Sequence, residues 1–362
     1  MSAVAPSDRA LAHVQRRAER AQAEARARIA EILVRAGEPF AAATALSTFI
    51  REHARVTLNF HPDRLLTDGH TVAQGLLHDG VYRSQFETRI SNGSRTAFPG
   101  GERDGWEQKL FGGAYHDLET GGDERPKYGA LDLMRHSDGG SPRFGSCYFV
   151  LRQHMTARCT LTWGDSHPGP EHVGTVEVLE PLIAAMLGAV GASGEALGVS
   201  GMTVSTLLPR FSPEALDSRN PAKAAGRALD DYIEAQVHGP IDLSSAVEAL
   251  VVDPAFEGTA TGHTLQAICD QHALRLLHHQ GFVLTPSEVP ADFRGPRMVP
   301  LGQRVAERYA VPPGTIDAAS LGHAAAALHR EPGSWDDWAT YEETLQHIKQ
   351  LWHVLVRFGR PR

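Results

Sequence analysis

The sequence has few cysteines: Cys147, Cys159 and Cys269 are the only three in 362 residues. None of them belongs to a CxxC pair or to a Cys/His spacing typical of a zinc finger, so a zinc ribbon is not predicted. A small, odd number of cysteines offers no disulfide framework and is typical of a reducing compartment. We therefore expect a cytoplasmic protein, or an effector that is delivered without a readable signal peptide.

Long apolar runs are also missing. No stretch of about 18 apolar residues occurs, which predicts no transmembrane helix and no membrane partner. The first residues lead into Arg- and Glu-rich sequence and not into the apolar segment of a secretory signal. The 35 basic and 43 acidic residues give a net charge of −8, which argues against nucleic-acid binding through bulk electrostatics.

Three widespread catalytic and nucleotide-binding motifs are absent. The sequence has no Walker A pattern and no G-x-S-x-G elbow. The glycine-rich stretch 188–201 lacks the G-x-G-x-x-G spacing of a dinucleotide-binding turn. We therefore exclude a P-loop, a Rossmann cofactor site and an α/β-hydrolase nucleophile.

Short β-rich runs separated by irregular, glycine-rich connections predict an α+β fold with a central, mostly antiparallel split sheet. Residues 1–54 are expected to form an N-terminal helical extension, residues 55–285 the catalytic core, and residues 286–362 a C-terminal helical segment packed on it. Strands are predicted at 56–60, 128–133, 147–151, 159–163 and 246–252. The main helices are predicted at 7–37, 39–53, 171–188, 212–237, 261–280 and 334–358.

Five residues combine suitable chemistry with placement at a strand or a tight loop. His61 directly follows an apolar strand, where an imidazole can bind a ribose hydroxyl or a metal. Arg83 and Asn92 lie among small residues that can approach a phosphate or a ribose. Tyr148 enters a strand after a glycine and offers a face for stacking. Glu248 is a lone carboxylate in an apolar strand, where it can stabilise an oxocarbenium-like transition state.

The sequence resembles a poorly characterised bacterial protein family, a domain of unknown function, over roughly residues 55–285. More distantly, it resembles the His-Tyr-Glu branch of the ADP-ribosyltransferase superfamily. In that branch a His ends the first strand, a Tyr enters a later strand, and a late strand begins with Glu. The stretches that carry the first resemblance are 61–64, 82–88, 125–131, 144–149, 164–167 and 247–254.

The second resemblance implies a glycosyltransferase that takes NAD as substrate, cleaves its nicotinamide–ribose bond and transfers ADP-ribose to an unknown acceptor. Carried over by position, His61 anchors the ribose, Tyr148 stacks on nicotinamide and Glu248 promotes the cleavage. These three residues are expected to meet in one pocket. The full expected NAD-binding set is His61, Arg64, Arg83, Asn92 and Tyr148.

Two other functions are compatible with the sequence. The first is a metal-dependent hydrolase or nuclease, because nitrogen and oxygen ligands are available, although no HExxH spacing occurs. The second is a non-enzymatic binding module whose helical ends pack on a partner. The candidate metal ligands are His61, Asp63, His167, His172 and His238.

Overall fold

One eight-stranded sheet organises the residues that the computed structural model describes, which are 4–89, 97–117, 120–218 and 225–362. The strand order is β5-β4-β6-β2-β1-β3-β7-β8, and every neighbouring pair is antiparallel except β7 and β8. The predicted α+β class with a mostly antiparallel sheet is confirmed. The strands are β1 Arg55–Phe60, β2 Lys127–Asp132, β3 Cys147–Leu151, β4 Cys159–Trp163, β5 Val173–Thr175, β6 Ile233–Val237, β7 Val247–Val252 and β8 Arg275–His278.

Helices pack around this sheet and at both ends of the chain. Among the described residues, no helix is both long and apolar enough to cross a membrane. Short 3-10 helices lie at 122–124, 142–144, 153–158, 208–210, 254–256, 286–288 and 332–335. The α-helices are α1 Pro6–Ala36, α2 Ala41–His53, α3 Val72–Asp79, α4 Gln85–Thr88, α5 Glu102–Leu110, α6 Glu180–Ser193, α7 Val204–Leu207, α8 Pro213–Ser218, α9 Leu243–Ala246, α10 Ala260–His272, α11 Met298–Arg308, α12 Ala318–Arg330 and α13 Tyr341–Phe358.

The two faces of the sheet differ in chemistry because side chains alternate along each strand. One face is apolar and belongs to the main core, with members such as Val56, Leu58 and Phe149. The opposite face, here called the polar face, is equally buried, and polar groups buried there must be hydrogen-bonded. Its buried polar members are Thr57, Asn59, Thr160, Thr162, Glu234 and Gln236.

The sheet splits between β1 and β2. These strands pair only from Arg55↔Asp132 to Thr57↔Ala130. Beyond that point β1 continues to pair with β3, and β2 continues to pair with β6. The expected split sheet is therefore confirmed, and it separates two half-sheets, β5-β4-β6-β2 and β1-β3-β7-β8.

Three helix predictions are wrong where strands form. The predicted helix 171–188 contains strand β5, and its helical part begins only with α6 at Glu180. The predicted helix 212–237 ends in strand β6, in which Ile233 and Ala235 alternate with Glu234 and Gln236 across the two faces. This period of two fits a strand and not a helix. The predicted helix 261–280 stops at His272, and the following residues form the edge strand β8.

The C-terminal helix α13 packs against the 3-10 turn at 142–144. The indole Nε1 of Trp352 donates a hydrogen bond of 2.8 Å to the carbonyl oxygen of Pro142. The Trp352 ring also contacts the His61 ring edge-on, with 5.0 Å between the ring centres. Helix α13 is thereby held beside the end of β1.

A buried carboxylate at the end of β7 makes stability pH-dependent. Asp253 is fully buried, and burial raises its pKa from 3.8 to about 6. The folded protein therefore holds this proton more tightly than the unfolded chain does, so this group lowers stability as the pH rises from about 4 to about 6. In urea unfolding, Asp253→Asn should reduce that loss by about 1–3 kcal/mol. If the free energy of unfolding depends on pH in the same way in the variant and the wild type, this prediction is contradicted.

Candidate functional site

A cavity of about 340 Å³ lies in the split of the sheet. Its floor comes from the residues where the two strands diverge, Asn59 to His61 on one side and Lys127 to Gly129 on the other. Its walls come from α3, α5, the 142–144 turn, the residues after β4, and α13. A volume of this size is typical of small-molecule sites.

The cavity is lined by more cations than anions. This excess is local, because the whole chain carries a net charge of −8. A concave surface with excess positive charge attracts anionic ligands. The cationic residues are Arg64, Arg83, Arg103, Lys127, Arg143 and Lys349, and the acidic ones are Asp79, Asp165 and Glu234.

Glu234 is the buried carboxylate of the cavity. It lies on the polar face in strand β6 and is 6% exposed. Its Oε1 accepts a hydrogen bond of 2.9 Å from Gln236 Nε2, and its Oε2 lies 3.3 Å from the Tyr232 hydroxyl. Burial raises the pKa of Glu234, while hydrogen bonds from Ser166 and Gln236 oppose the rise. The carboxylate is thus both desolvated and fixed in orientation.

A buried network behind Glu234 holds this orientation. Thr160 Oγ1 donates to Gln236 Oε1 at 2.7 Å and lies 2.9 Å from His238 Nε2. His238 Nδ1 lies 2.5 Å from the Tyr115 hydroxyl, and the two rings stack. Burial, together with nearby cations, lowers the pKa of His238 to about 3, so the imidazole is neutral. A satisfied buried network of this kind rigidifies the groups that it connects.

The guanidinium group of Arg103 lies between two aromatic rings in the wall of the cavity. Its guanidinium carbon is 4.6 Å from the ring centre of Trp106 and 4.6 Å from that of Tyr128. Tyr128 is itself fixed, because its hydroxyl donates to Glu107 Oε1 at 2.7 Å. Arg103 opposes the rise in pKa that burial causes in Glu107 and Glu234. Its Nε atom is buried without a hydrogen-bond partner among the described residues, and an anion in the cavity could accept from it.

The sequence-predicted residues near the end of β1 do line the cavity. His61 is half-buried there, and burial together with Arg64 lowers its pKa to about 3, so it is neutral. Arg64 lines the same wall. Arg83 lines the cavity as well and forms an ion pair of 2.7 Å with Asp79. Asn92 lies outside the described residues.

The expected meeting of His61, Tyr148 and Glu248 does not occur. The Tyr148 ring is 5% exposed and packs under Gly139, and its hydroxyl donates to the Ser137 carbonyl at 2.8 Å. This tyrosine supports the loop that covers the polar face and does not line the cavity.

Glu248 lies at the wrong end of the sheet for the predicted role. It pairs with Arg275 and, at 3.4 Å, with Arg55, the first residue of β1. His61 follows the last residue of the same strand, about 20 Å away at about 3.3 Å per residue. The assignment of Glu248 as the cavity carboxylate is corrected, since Glu234 occupies that place.

The alternative metal ligands do not converge either. Among the described residues, no group of three or more His, Cys, Asp or Glu side chains could hold a metal ion. His238 is engaged by Tyr115 and Thr160, and His167 contacts the Trp106 ring at 5.0 Å. The set His61, Asp63, His167, His172 and His238 is therefore not assembled as a single site.

Sequence reasoning missed Glu234, Arg103, Trp106 and Lys349. The signal for Glu234 was present, because Glu and Gln two residues apart in an apolar run indicate one polar face of a strand. The helical prediction for that segment concealed it. No sequence signal distinguishes the other three residues from ordinary helix-surface residues.

Comparison with known proteins places the chain in a family. None of the curated proteins with which it was compared matches it. The family described as "Protein of unknown function (DUF3626)" matches residues 55–358, which begins at β1 and extends beyond the range 55–285 expected from the sequence to include α13. Because this range covers well over half of the sequence, the chain belongs to the DUF3626 family.

Proposed function

We propose that the protein is an NAD-consuming enzyme of the ADP-ribosyltransferase type, with the cavity in the split of the sheet as its active site. In this proposal Glu234 takes the catalytic role first assigned to Glu248. The observation that carries it is a desolvated carboxylate of fixed orientation inside a cation-lined cavity.

Cleavage of the nicotinamide–ribose bond leaves positive charge on the ribose. A carboxylate held beside that carbon stabilises the transition state more than the ground state, which is the requirement for catalysis. Gln236 and Tyr232 hold the Glu234 carboxylate before the ligand arrives, so little reorganisation is needed during the reaction. His61, which is neutral, can bind a ribose hydroxyl through its imidazole nitrogens.

Arg103 and Trp106 suit the remaining parts of the dinucleotide. The guanidinium of Arg103 can donate two parallel hydrogen bonds to a phosphate or carboxylate oxygen pair. Trp106 offers an aromatic surface in the same wall for a planar heterocycle. The cavity therefore combines donors for anionic groups, a stacking surface and a carboxylate, as NAD cleavage requires.

Trp106→Ala should weaken NAD binding while changing the turnover rate constant less. Loss of base–aromatic stacking removes about 1–3 kcal/mol, which corresponds to roughly 5- to 150-fold in the dissociation constant. Calorimetric titration of the full chain with NAD measures this change. Tyr148→Phe is the control, because its hydroxyl bonds only to the covering loop and the ring does not line the cavity.

The test of the proposal itself is release of nicotinamide from labelled NAD by the full chain, with cell lysate offered as a source of acceptors. We expect release above the spontaneous rate and transfer of label to an acceptor. If the wild-type protein shows no NAD binding in calorimetry, the proposal is rejected.

A further inference from the structure

The cavity has a second wall whose chemistry differs from that around Glu234. This wall, here called the α13 wall, is formed by Arg143 in the 142–144 turn and by Lys349 of α13. The bond from Trp352 to the Pro142 carbonyl and its ring contact with His61 fix the position of α13. Both cations are therefore placed by packed structure and not by surface loops.

Arg143 is a largely buried cation whose contacts are made through one nitrogen atom, Nη1. Its side chain is 12% exposed, and Nη1 donates to the Leu229 carbonyl at 2.8 Å and to Asp230 at 2.5 Å, with Asp165 at 3.3 Å. Arg294 shares Asp230 at 3.6 Å. Within the described residues, the Nε atoms of Arg143 and Arg294 are buried without a hydrogen-bond partner. Two guanidinium groups thus converge on one carboxylate that is itself 70% exposed.

His353 adds two further buried nitrogen atoms to this region. It lies one turn after Lys349 on α13 and is 3% exposed, and neither ring nitrogen has a hydrogen-bond partner among the described residues. Burial, with Arg294, Arg143 and Lys349 nearby, lowers the pKa of His353 to about 2, so its ring is neutral. His353 does not line the cavity, so it can act on a bound ligand only through the cations beside it.

A phosphate group is the ligand that this chemistry fits best. It offers several strong acceptor oxygens and up to two negative charges, and it suits guanidinium and ammonium donors together. Lys349 has a pKa lowered to about 8 by burial and neighbouring cations, so it remains largely protonated at neutral pH. The α13 wall therefore keeps its positive charge under ordinary conditions.

We infer that the α13 wall is a phosphate-binding subsite, in which Arg143 and Lys349 hold a phosphate of the bound nucleotide while Arg294 and His353 support them from behind. This inference rests on the proposed function, because the phosphate would belong to the NAD molecule bound in the same cavity. The Arg143–Asp165 contact and the hydrogen bond from the Tyr232 hydroxyl to Asp165 connect this subsite with Glu234.

The test is calorimetric titration of the full chain with inorganic pyrophosphate at fixed ionic strength. Lys349→Met should weaken pyrophosphate binding at least about tenfold, the equivalent of one charge-assisted contact of roughly 1.5 kcal/mol. Lys349→Arg, which keeps the charge, should restore most of the affinity. Lys109→Met is the matched control, since this exposed lysine at the end of α5 does not line the cavity.

The subsite is overturned if the wild type and Lys349→Met bind pyrophosphate with equal affinity. It is also overturned if chloride and phosphate compete equally with pyrophosphate at the same ionic strength. Failure of the subsite and failure of the proposed function give different results. Pyrophosphate binding that depends on Lys349, without nicotinamide release by the wild type, would reject NAD cleavage and keep the subsite. Nicotinamide release with an unchanged KM for NAD in Lys349→Met would reject the subsite and keep NAD cleavage.

Discussion

Glu234→Gln should reduce nicotinamide release from NAD by about 10²- to 10³-fold, the usual effect of removing one preorganised electrostatic group. Glutamine has nearly the same shape and can still accept the hydrogen bond from Gln236, so the cavity should stay intact. The variant loses only the negative charge that, in the proposed reaction, would stabilise the ribosyl cation. NAD affinity should change little, because the charge matters most in the transition state.

Glu248→Gln is the control for this experiment. Glu248 is also a carboxylate on a strand of the sheet, but it pairs with Arg55 and Arg275 far from the cavity. Its substitution should leave turnover close to that of the wild type. A large loss of turnover in Glu248→Gln, with normal turnover in Glu234→Gln, would support Glu248 as the catalytic carboxylate and reject Glu234.

Arg125→Met should destabilise the fold by about 3–5 kcal/mol, because it leaves a buried carboxylate without its cation. Arg125 is 5% exposed and donates to Glu107 at 2.9 Å and to Asp104 at 2.6 Å. Glu107 is 0% exposed, and burial raises its pKa. Without Arg125, the Tyr128 hydroxyl still donates to Glu107 and Arg103 still acts on it electrostatically, but Glu107 loses its hydrogen bond from a cation.

Urea unfolding followed by circular dichroism measures this loss. The control is Arg26→Met, which removes an ion pair of 2.7 Å to Glu180 from an arginine side chain that is 57% exposed. Exposed pairs of this kind contribute about 0–1 kcal/mol. Similar losses in the two variants would show that the network around Glu107 has no special role in stability.

The sequence predicts five of the eight strands of the sheet, β1, β2, β3, β4 and β7, because their apolar runs are strong local signals, whereas β5, β6 and β8 were predicted as helix. The predicted strand at 147–151 has the same limits as β3, and that at 159–163 has the same limits as β4. The prediction that His61 directly follows the first strand is confirmed, because β1 ends at Phe60. Local pattern is sufficient for these elements.

The position of Glu248 could not be predicted in the same way because it depends on strand direction. Strand β3 is antiparallel to both β1 and β7, so β7 runs in the same direction as β1. The start of β7 therefore lies beside the start of β1, whereas His61 follows the end of β1. The three strands were predicted correctly and in the correct order, but the Glu248 carboxylate was still expected at the wrong end of the sheet. Strand pairing depends on residues that are far apart in the sequence.

The narrow connection between the two half-sheets has a mechanical consequence. Only three residue pairs join β1 to β2, and a β-carbon on Gly129 would lie 2.2 Å from the Thr57 carbonyl oxygen at that junction. A side chain at position 129 would force β1 and β2 apart, and Gly129 itself lines the cavity. The close approach of the two backbones at this junction therefore also limits the width of the cavity floor.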